Sequence, residues 1–159
     1  GGFIVHLGTL VLIIGVVGSA FFKEEATVTL KPGDQVISRP YVLTYKAITP
    51  QKGPNYTERM AFFEWKKDDG TTGTLTPSKR HYPVTSTVTT EASILSTMLG
   101  DLYVVLGNEH GKEEVTTRVF WNPLVNWIWI GWLIVLLGVF FAMTKKAPKI
   151  VTQPKEALA

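Results

Sequence analysis

Three histidines have the widest chemical range in this 159-residue chain, and their surroundings differ. His6 lies in a stretch, residues 1–22, that carries no charged side chain. An imidazole is costly to place there, and is commonly either functional or hydrogen-bonded to a neighbour. His81 and His110 sit in polar, turn-rich runs, Ser78-Lys79-Arg80-His81 and Asn108-Glu109-His110-Gly111, and read as exposed loop residues. No H-E-x-x-H, no histidine pair at ligand spacing and no carboxylate cluster accompanies them. Asp68-Asp69 precede Gly70 and fit a hairpin turn better than an acid–base pair. The chain has no cysteine, which excludes a disulfide framework, a thiolate metal site and a thiol nucleophile together. A phosphate loop, a nucleophile elbow and a dinucleotide fingerprint are also missing, so the chain by itself holds no catalytic constellation. Asn55-Tyr56-Thr57 matches the glycosylation acceptor pattern, a triplet common by chance.

The elements that must position these residues follow from the hydropathy. Residues 119–144 form a second uncharged stretch, and two such runs point to a membrane protein with helices over 1–22 and 122–144. A helix over the first run spans roughly 33 Å, enough to cross a bilayer core. It lacks the basic start and the cleavage site of a signal peptide and reads as a piece of something larger. The second helix opens at Asn122-Pro123, where proline suits the first turn, and Trp121, Trp127, Trp129 and Trp132 form an aromatic collar at that end. Lys145, Lys146 and Lys149 follow its other end, which makes the 145–159 tail cytoplasmic and the section between the helices external.

Residues 23–121 read as antiparallel β. Val28 and Leu30, then Tyr41, Leu43 and Tyr45, then Ala61, Phe63 and Trp65 keep a period of two. So do Leu102, Val104 and Leu106, and Val115, Val119 and Trp121. Turns are expected at Pro32-Gly33-Asp34, Gly70, Gly107-Asn108 and Gly111, giving six or seven strands in a small barrel or sandwich. Glu91 to Leu99 is the exception, with one or two helical turns expected. The fold expected is therefore α+β, with two transmembrane helices flanking a small antiparallel β-barrel or sandwich-like external domain. Charge balances within residues 23–121, so the net +3 comes from the tail lysines, and no basic face marks a nucleic-acid partner.

Helix geometry sharpens the position of His6. Gly1, Gly8 and Gly15 fall seven apart and form a smooth stripe for close approach of another helix. At about 100° per residue His6 projects roughly 160° away from Gly8 and needs a partner on a different face. That argues for further helices, with the imidazole either ligating a metal such as haem iron or hydrogen-bonding a carbonyl or hydroxyl across an interface. Gly131 and Gly138 supply a second smooth face, on the last helix.

Several separated motifs, in order, resemble the CcmF family of cytochrome c biogenesis proteins. They are Val5-His6-Leu7-Gly8 with Gly15 and Ser19; Pro54-Asn55-Tyr56; Leu75-Thr76-Pro77-Ser78-Lys79-Arg80 with Tyr82; Gly100-Asp101-Leu102-Tyr103-Val104; and Asn122-Pro123-Leu124-Val125 with Trp127-Ile128-Trp129 and Gly131. The resemblance covers residues 1–144. It implies the C-terminal portion of the membrane haem-lyase component of a cytochrome c maturation system, part of a holocytochrome c synthetase in the inner membrane, with the β domain on the periplasmic side. It implies partners: the N-terminal part of the same protein, a CcmE-like haem chaperone, CcmH/CcmI-like proteins that deliver apocytochrome c, and apocytochrome c itself. It also implies a resident haem b in the membrane that keeps the incoming haem iron reduced, with His6 matching one of its two axial ligands.

Family members are several times longer. Their Trp-rich external segment, their two external histidines and their second intramembrane histidine have no counterpart here, and neither His81 nor His110 matches those positions. The chain is expected to be a naturally split portion or a fragment, inactive alone. The resemblance leaves the β domain as a docking platform or a brace. The segment Thr76 to Tyr82 reads as an ordered loop in which Arg80 pairs an acidic neighbour at small energetic gain, with Arg80 and Tyr82 the candidate partner contacts. The rival reading is a non-enzymatic membrane scaffold whose β domain docks an envelope partner.

Overall fold

The structure is a computed structural model that describes residues 1–110 and 113–144, with the backbone alone at His110. The tail at 145–159 and the turn expected at Gly111 lie outside the described residues. In chain order the elements are α1 (Gly2–Phe21), β1 (Glu24–Leu30), β2 (Gln35–Ser38), β3 (Tyr41–Lys52), β4 (Thr57–Lys67), β5 (Thr72–Leu75) and β6 (Ser78–Tyr82). There follow β7 (Thr87–Glu91), β8 (Ser93–Thr97), β9 (Gly100–His110), β10 (Glu114–Pro123) and α2 (Val125–Thr144).

The strands form two antiparallel sheets, one ordered β1-β10-β9-β8 and the other β2-β3-β4-β6-β7, with β5 also on β4. The alternating residues face each other across the gap. Tyr41, Leu43, Tyr45, Ala61 and Phe63 from one sheet bury against Leu102, Val104, Leu106, Val115, Val119 and Trp121 from the other. A sandwich rather than a closed barrel results, because each sheet keeps its own edges. Tyr41 is wedged at one end of the core, its ring centroid 5.6 Å from Trp65 and 5.5 Å from Trp121. Thr117 is fully buried among these apolar side chains, and its hydroxyl has no hydrogen-bond partner among the described residues.

Four local expectations are corrected. The second helix opens at Val125 and not at Asn122-Pro123: Pro123 is the last residue of β10, whose pairing with β9 carries the extended backbone past the proline. Residues 91–99 are not helical: Thr87–Glu91 joins β6 and Ser93–Thr97 joins β9, so the chain crosses from one sheet to the other at Ala92. Strand pairing on both sides overrides the local pattern. Gly107-Asn108 is not a turn but part of β9, where the register with β10 shifts between Val115 and Thr117. Leu106 and Glu109 face those two residues, leaving Gly107 and Asn108 as a bulge, a common place for glycine in a strand. The segment ending at Tyr82 is a loop only up to Pro77, and from Ser78 onward it is β6, paired with β4 and β7. Ten strands therefore stand among the described residues, where six or seven were expected.

The two helices are each long and apolar enough to cross a membrane, and they pack antiparallel along their glycines. A Cβ at Gly8 would lie 2.7 Å from the Val135 nitrogen, and one at Gly15 2.6 Å from the Ile128 nitrogen. From the other side, Gly131 meets the Leu12 nitrogen at 2.5 Å and Gly138 the Val5 nitrogen at 2.7 Å. The seven-residue stripes thus face each other, backbone against backbone. Topology makes this possible: β1 and β10 are adjacent, with Glu24 opposite Trp121, so the helices attached to their ends emerge side by side.

The sandwich is also tied to the first turn of α2. The Leu124 N–H donates to the Leu99 carbonyl at 2.8 Å, and the Asn126 amide donates to the Thr97 carbonyl at 2.7 Å and to Asp101 at 2.8 Å.

Candidate functional site

Two places in the fold hold the residues singled out by the sequence, and they lie at opposite ends. His6 is in the second turn of α1, about 22 Å along the helix axis from Phe21 at the sandwich end. The glycine stripe turns toward α2, so the His6 side chain is exposed, on a face it shares with Phe3, Leu7 and Leu10. Its Nδ1 is 2.8 Å from the Gly2 carbonyl oxygen. A carbonyl only accepts, so this bond puts the ring proton on Nδ1 and leaves the lone pair on Nε2. No partner for Nε2 stands among the described residues. A neutral imidazole oriented through Nδ1–H by a backbone carbonyl is the form in which histidine ligates metals. The described residues hold no group of three or more His, Asp or Glu side chains that could bind a metal ion, so His6 offers one ligand and no more. One imidazole nitrogen on an apolar surface is a donor that could hold a metal-bearing group only together with ligands from elsewhere.

The second place is a cleft of about 540 Å³ lined by residues that include Lys52, Glu58, Arg59, Lys79, Arg80 and His81. It lies at the end of the sandwich remote from the helices, since β9 runs from Gly100 beside α2 to Glu109 on the cleft wall, roughly 30 Å away. Arg80 Nε donates to Glu58 Oε2 at 3.0 Å, and the Ser78 hydroxyl donates to the same oxygen at 3.0 Å. Glu58 is buried at 7% exposure, so removing its partner would strand a buried charge, a larger loss than breaking the exposed contact expected from the sequence. The bond to Glu58 stabilises the charged guanidinium and pushes its ionisation further up. The guanidinium also lies 4.7 Å from the centroid of Tyr56, whose ring is 5.6 Å from that of Tyr82. Arg59 pairs with Glu109 across the two sheets. Nearby, the buried Tyr45 hydroxyl donates to the Glu113 carbonyl at 2.8 Å, and burial pushes its ionisation up.

The structure therefore brings Arg80 and Tyr82 together through Tyr56 and keeps both far from His6. His81 is exposed on β6 and His110 ends β9, so both stand on strands rather than in the loops expected. Asp68 and Asp69 occupy the β4–β5 turn as read. Asp69 accepts from the Thr71 N–H at 2.9 Å and pairs with Lys67 at 2.8 Å, and those bonds hold its carboxyl well below the usual range. Glu58, Arg59 and Glu109 escaped the sequence reading. Their pairing depends on the register of β4 against β6 and on the approach of the two sheets, and no local spacing encodes either.

Residues 21–123, the whole sandwich, match the family model described as the CcmF C-terminal beta-sandwich. The chain belongs to the CcmF family. A CcmF of Pseudomonas aeruginosa, a cytochrome c-type biogenesis protein, is 35% identical over 96% of this chain. A cytochrome c-type biogenesis protein NrfE of Haemophilus influenzae is 32% identical over 90% of it. The chain spans 24% and 22% of the lengths of these two CcmF-family relatives. The solved structure of a cytochrome c heme lyase CcmF superposes with a TM-score of 0.69 at 16% identity, over 91% of this chain and 24% of that one, and shares the fold. On this scaffold the chain adds two helices that are long and apolar enough to cross a membrane.

Proposed function

We propose that this chain is the C-terminal portion of a CcmF-like haem lyase, acting in the covalent attachment of haem to apocytochrome c. In this reading it sits in the inner membrane with the sandwich on the periplasmic side. His6 would hold a haem b through its imidazole, together with a histidine from outside this chain. The single observation that carries it is the state of His6: Nδ1 bonded to the Gly2 carbonyl, Nε2 without a partner among the described residues, on an apolar face that α2 leaves uncovered.

Bound there, a haem b supplies a one-electron couple at its iron. This chain's residues do the rest. The Gly2 carbonyl holds the proton on Nδ1 and so keeps Nε2 available. Phe3, Leu7 and Leu10 keep water from the ligand face, and the paired glycine stripes fix that face away from α2. The sandwich frames the external side, with Arg80 and Tyr82 as contact residues for the CcmE-like chaperone, for CcmH/CcmI-like proteins or for the apocytochrome they deliver. The remainder of the CcmF-like protein covers the exposed face of α1.

The alternative is a non-enzymatic scaffold, and one observation favours it: the Gly2 carbonyl already gives His6 a hydrogen bond within its own helix. The test is the optical spectrum of membranes in which the chain is co-expressed with the N-terminal portion of the protein, before and after dithionite. His6→Gln keeps a hydrogen-bonding group but is a poor haem ligand. Loss of a low-spin haem b signal at unchanged protein level supports the lyase reading, and an unchanged signal supports the scaffold.

A further inference from the structure

The β8–β9 turn, Thr97-Met98-Leu99-Gly100, has the wrong composition for a turn in water. Other turns of the sandwich use Lys, Pro, Gly and Asp, as at 31–34 and 68–70, where such residues set the backbone and meet solvent. This one presents Met98 and Leu99, 66% and 58% exposed, and carries no charge.

Its backbone is equally unusual. Four consecutive carbonyls are each satisfied from within the protein. Thr97 accepts from the Asn126 amide at 2.7 Å, Met98 from the Trp127 indole at 3.0 Å, Leu99 from the Leu124 N–H at 2.8 Å and Gly100 from the Thr97 hydroxyl at 2.7 Å. A turn facing water has no need of this, because water satisfies its carbonyls. A turn facing hydrocarbon must have it, since no water is there to satisfy an open polar group. Three of the four bonds come from residues 124–127, so the turn is pegged at the height of the first turn of α2, level with the Trp127 indole. Indoles favour the headgroup boundary of a bilayer. The turn is packed tightly in that position: a Cβ at Gly100 would lie 2.5 Å from the Asn122 carbonyl oxygen. Phe21 and Phe22 are also exposed at the sandwich end of α1, with Lys23 beside them at 4.9 Å from the Phe120 ring centroid.

We infer that the Met98–Leu99 turn is a lipid-contacting tip that inserts into the membrane interface beside α2 and holds the sandwich at a fixed height and tilt on the bilayer. The occupant of this apolar surface is lipid, because the surface continues the aromatic belt of a membrane-crossing helix and the four carbonyls of the turn are already satisfied within the chain. This rests on the reading that α2 crosses a membrane.

The chain has no cysteine, so a single cysteine can carry a fluorescent probe at one known place in it. The protein is purified from membranes with the parts it assembles with and placed in phosphatidylcholine nanodiscs. Probes at Met98→Cys, Leu136→Cys in mid-α2 and Val84→Cys on the exposed β6–β7 turn are then compared. Quenching is measured with a nitroxide-bearing lipid and, separately, with aqueous iodide. The expected result is a Met98→Cys probe quenched by the lipid nitroxide and at least several-fold less by iodide than the Val84→Cys probe. Iodide quenching of Met98→Cys equal to that of Val84→Cys overturns the inference, and so does protection from both quenchers, which would mean that protein covers the tip. If the Leu136→Cys probe is itself open to iodide, it is the membrane reading that fails.

Discussion

The helix pair and the sandwich solve the packing problem in opposite ways. The sandwich closes its own core: Leu43, Tyr45, Ala61, Phe63, Leu102 and Val104 are all wholly buried within this chain. The helices bury little beyond their glycines, and Phe3, Leu10, Leu133 and Phe140 are more than half exposed. One region is complete, and the other has a finished seam and unfinished outer faces. The lesson concerns His6, which lies on an unfinished face. Among the described residues nothing covers that face.

This contrast is tested first where it should break most severely. Phe63→Ala opens a cavity in the self-contained core and should cost about 3–5 kcal/mol, read as a large drop in the denaturation midpoint of the sandwich. The helix seam should survive it, because the helices meet the sandwich chiefly at β9 and β10 and not at β4, which carries Phe63. Gly131→Leu attacks the other region, since even a Cβ at that position meets the Leu12 nitrogen at 2.5 Å. Overpacking of this kind costs about 1–3 kcal/mol. Energy transfer between probes at Gly2 and Met143 should fall, with the sandwich midpoint unchanged. A sandwich that melts along with the seam would show that the two regions are one cooperative unit.

Glu58→Gln should cost about 1–2 kcal/mol, less than loss of a wholly buried ion pair, because Arg80 retains partial exposure to solvent. Its mark is local: the β4–β6 pairing should exchange amide hydrogens faster while the opposite sheet does not. Thr117→Val has the opposite sign. It replaces a buried hydroxyl that has no partner among the described residues with a methyl of similar size, and should stabilise the sandwich by about 1 kcal/mol or less, read as a raised midpoint.

How far the sequence carried the fold also divides along these lines. Gly1, Gly8 and Gly15, with Gly131 and Gly138, announced close helix contact because a seven-residue stripe is a local signal. The alternation in 41–45, 61–65 and 102–106 announced the core for the same reason. Residues 91–99, the bulge at Gly107-Asn108 and the strand at Ser78 did not show themselves, because each is decided by a partner distant in sequence. Glu58 and Arg80 are the sharpest instance: 22 residues apart in the chain, they meet only through the β4–β6 register. His6 was legible as an anomaly, a polar ring in an uncharged run. Its hydrogen bond to Gly2 and its free Nε2 needed the three-dimensional structure.

The central claim is that His6 presents a neutral Nε2 as a haem ligand. The most direct measurement is the reduced-minus-oxidised spectrum of membranes carrying His6→Gly together with the N-terminal portion of the protein, taken with and without added imidazole. The account predicts that the low-spin haem b signal is absent from the variant and returns when imidazole fills the vacated space. A wild-type signal in the variant without imidazole would contradict it.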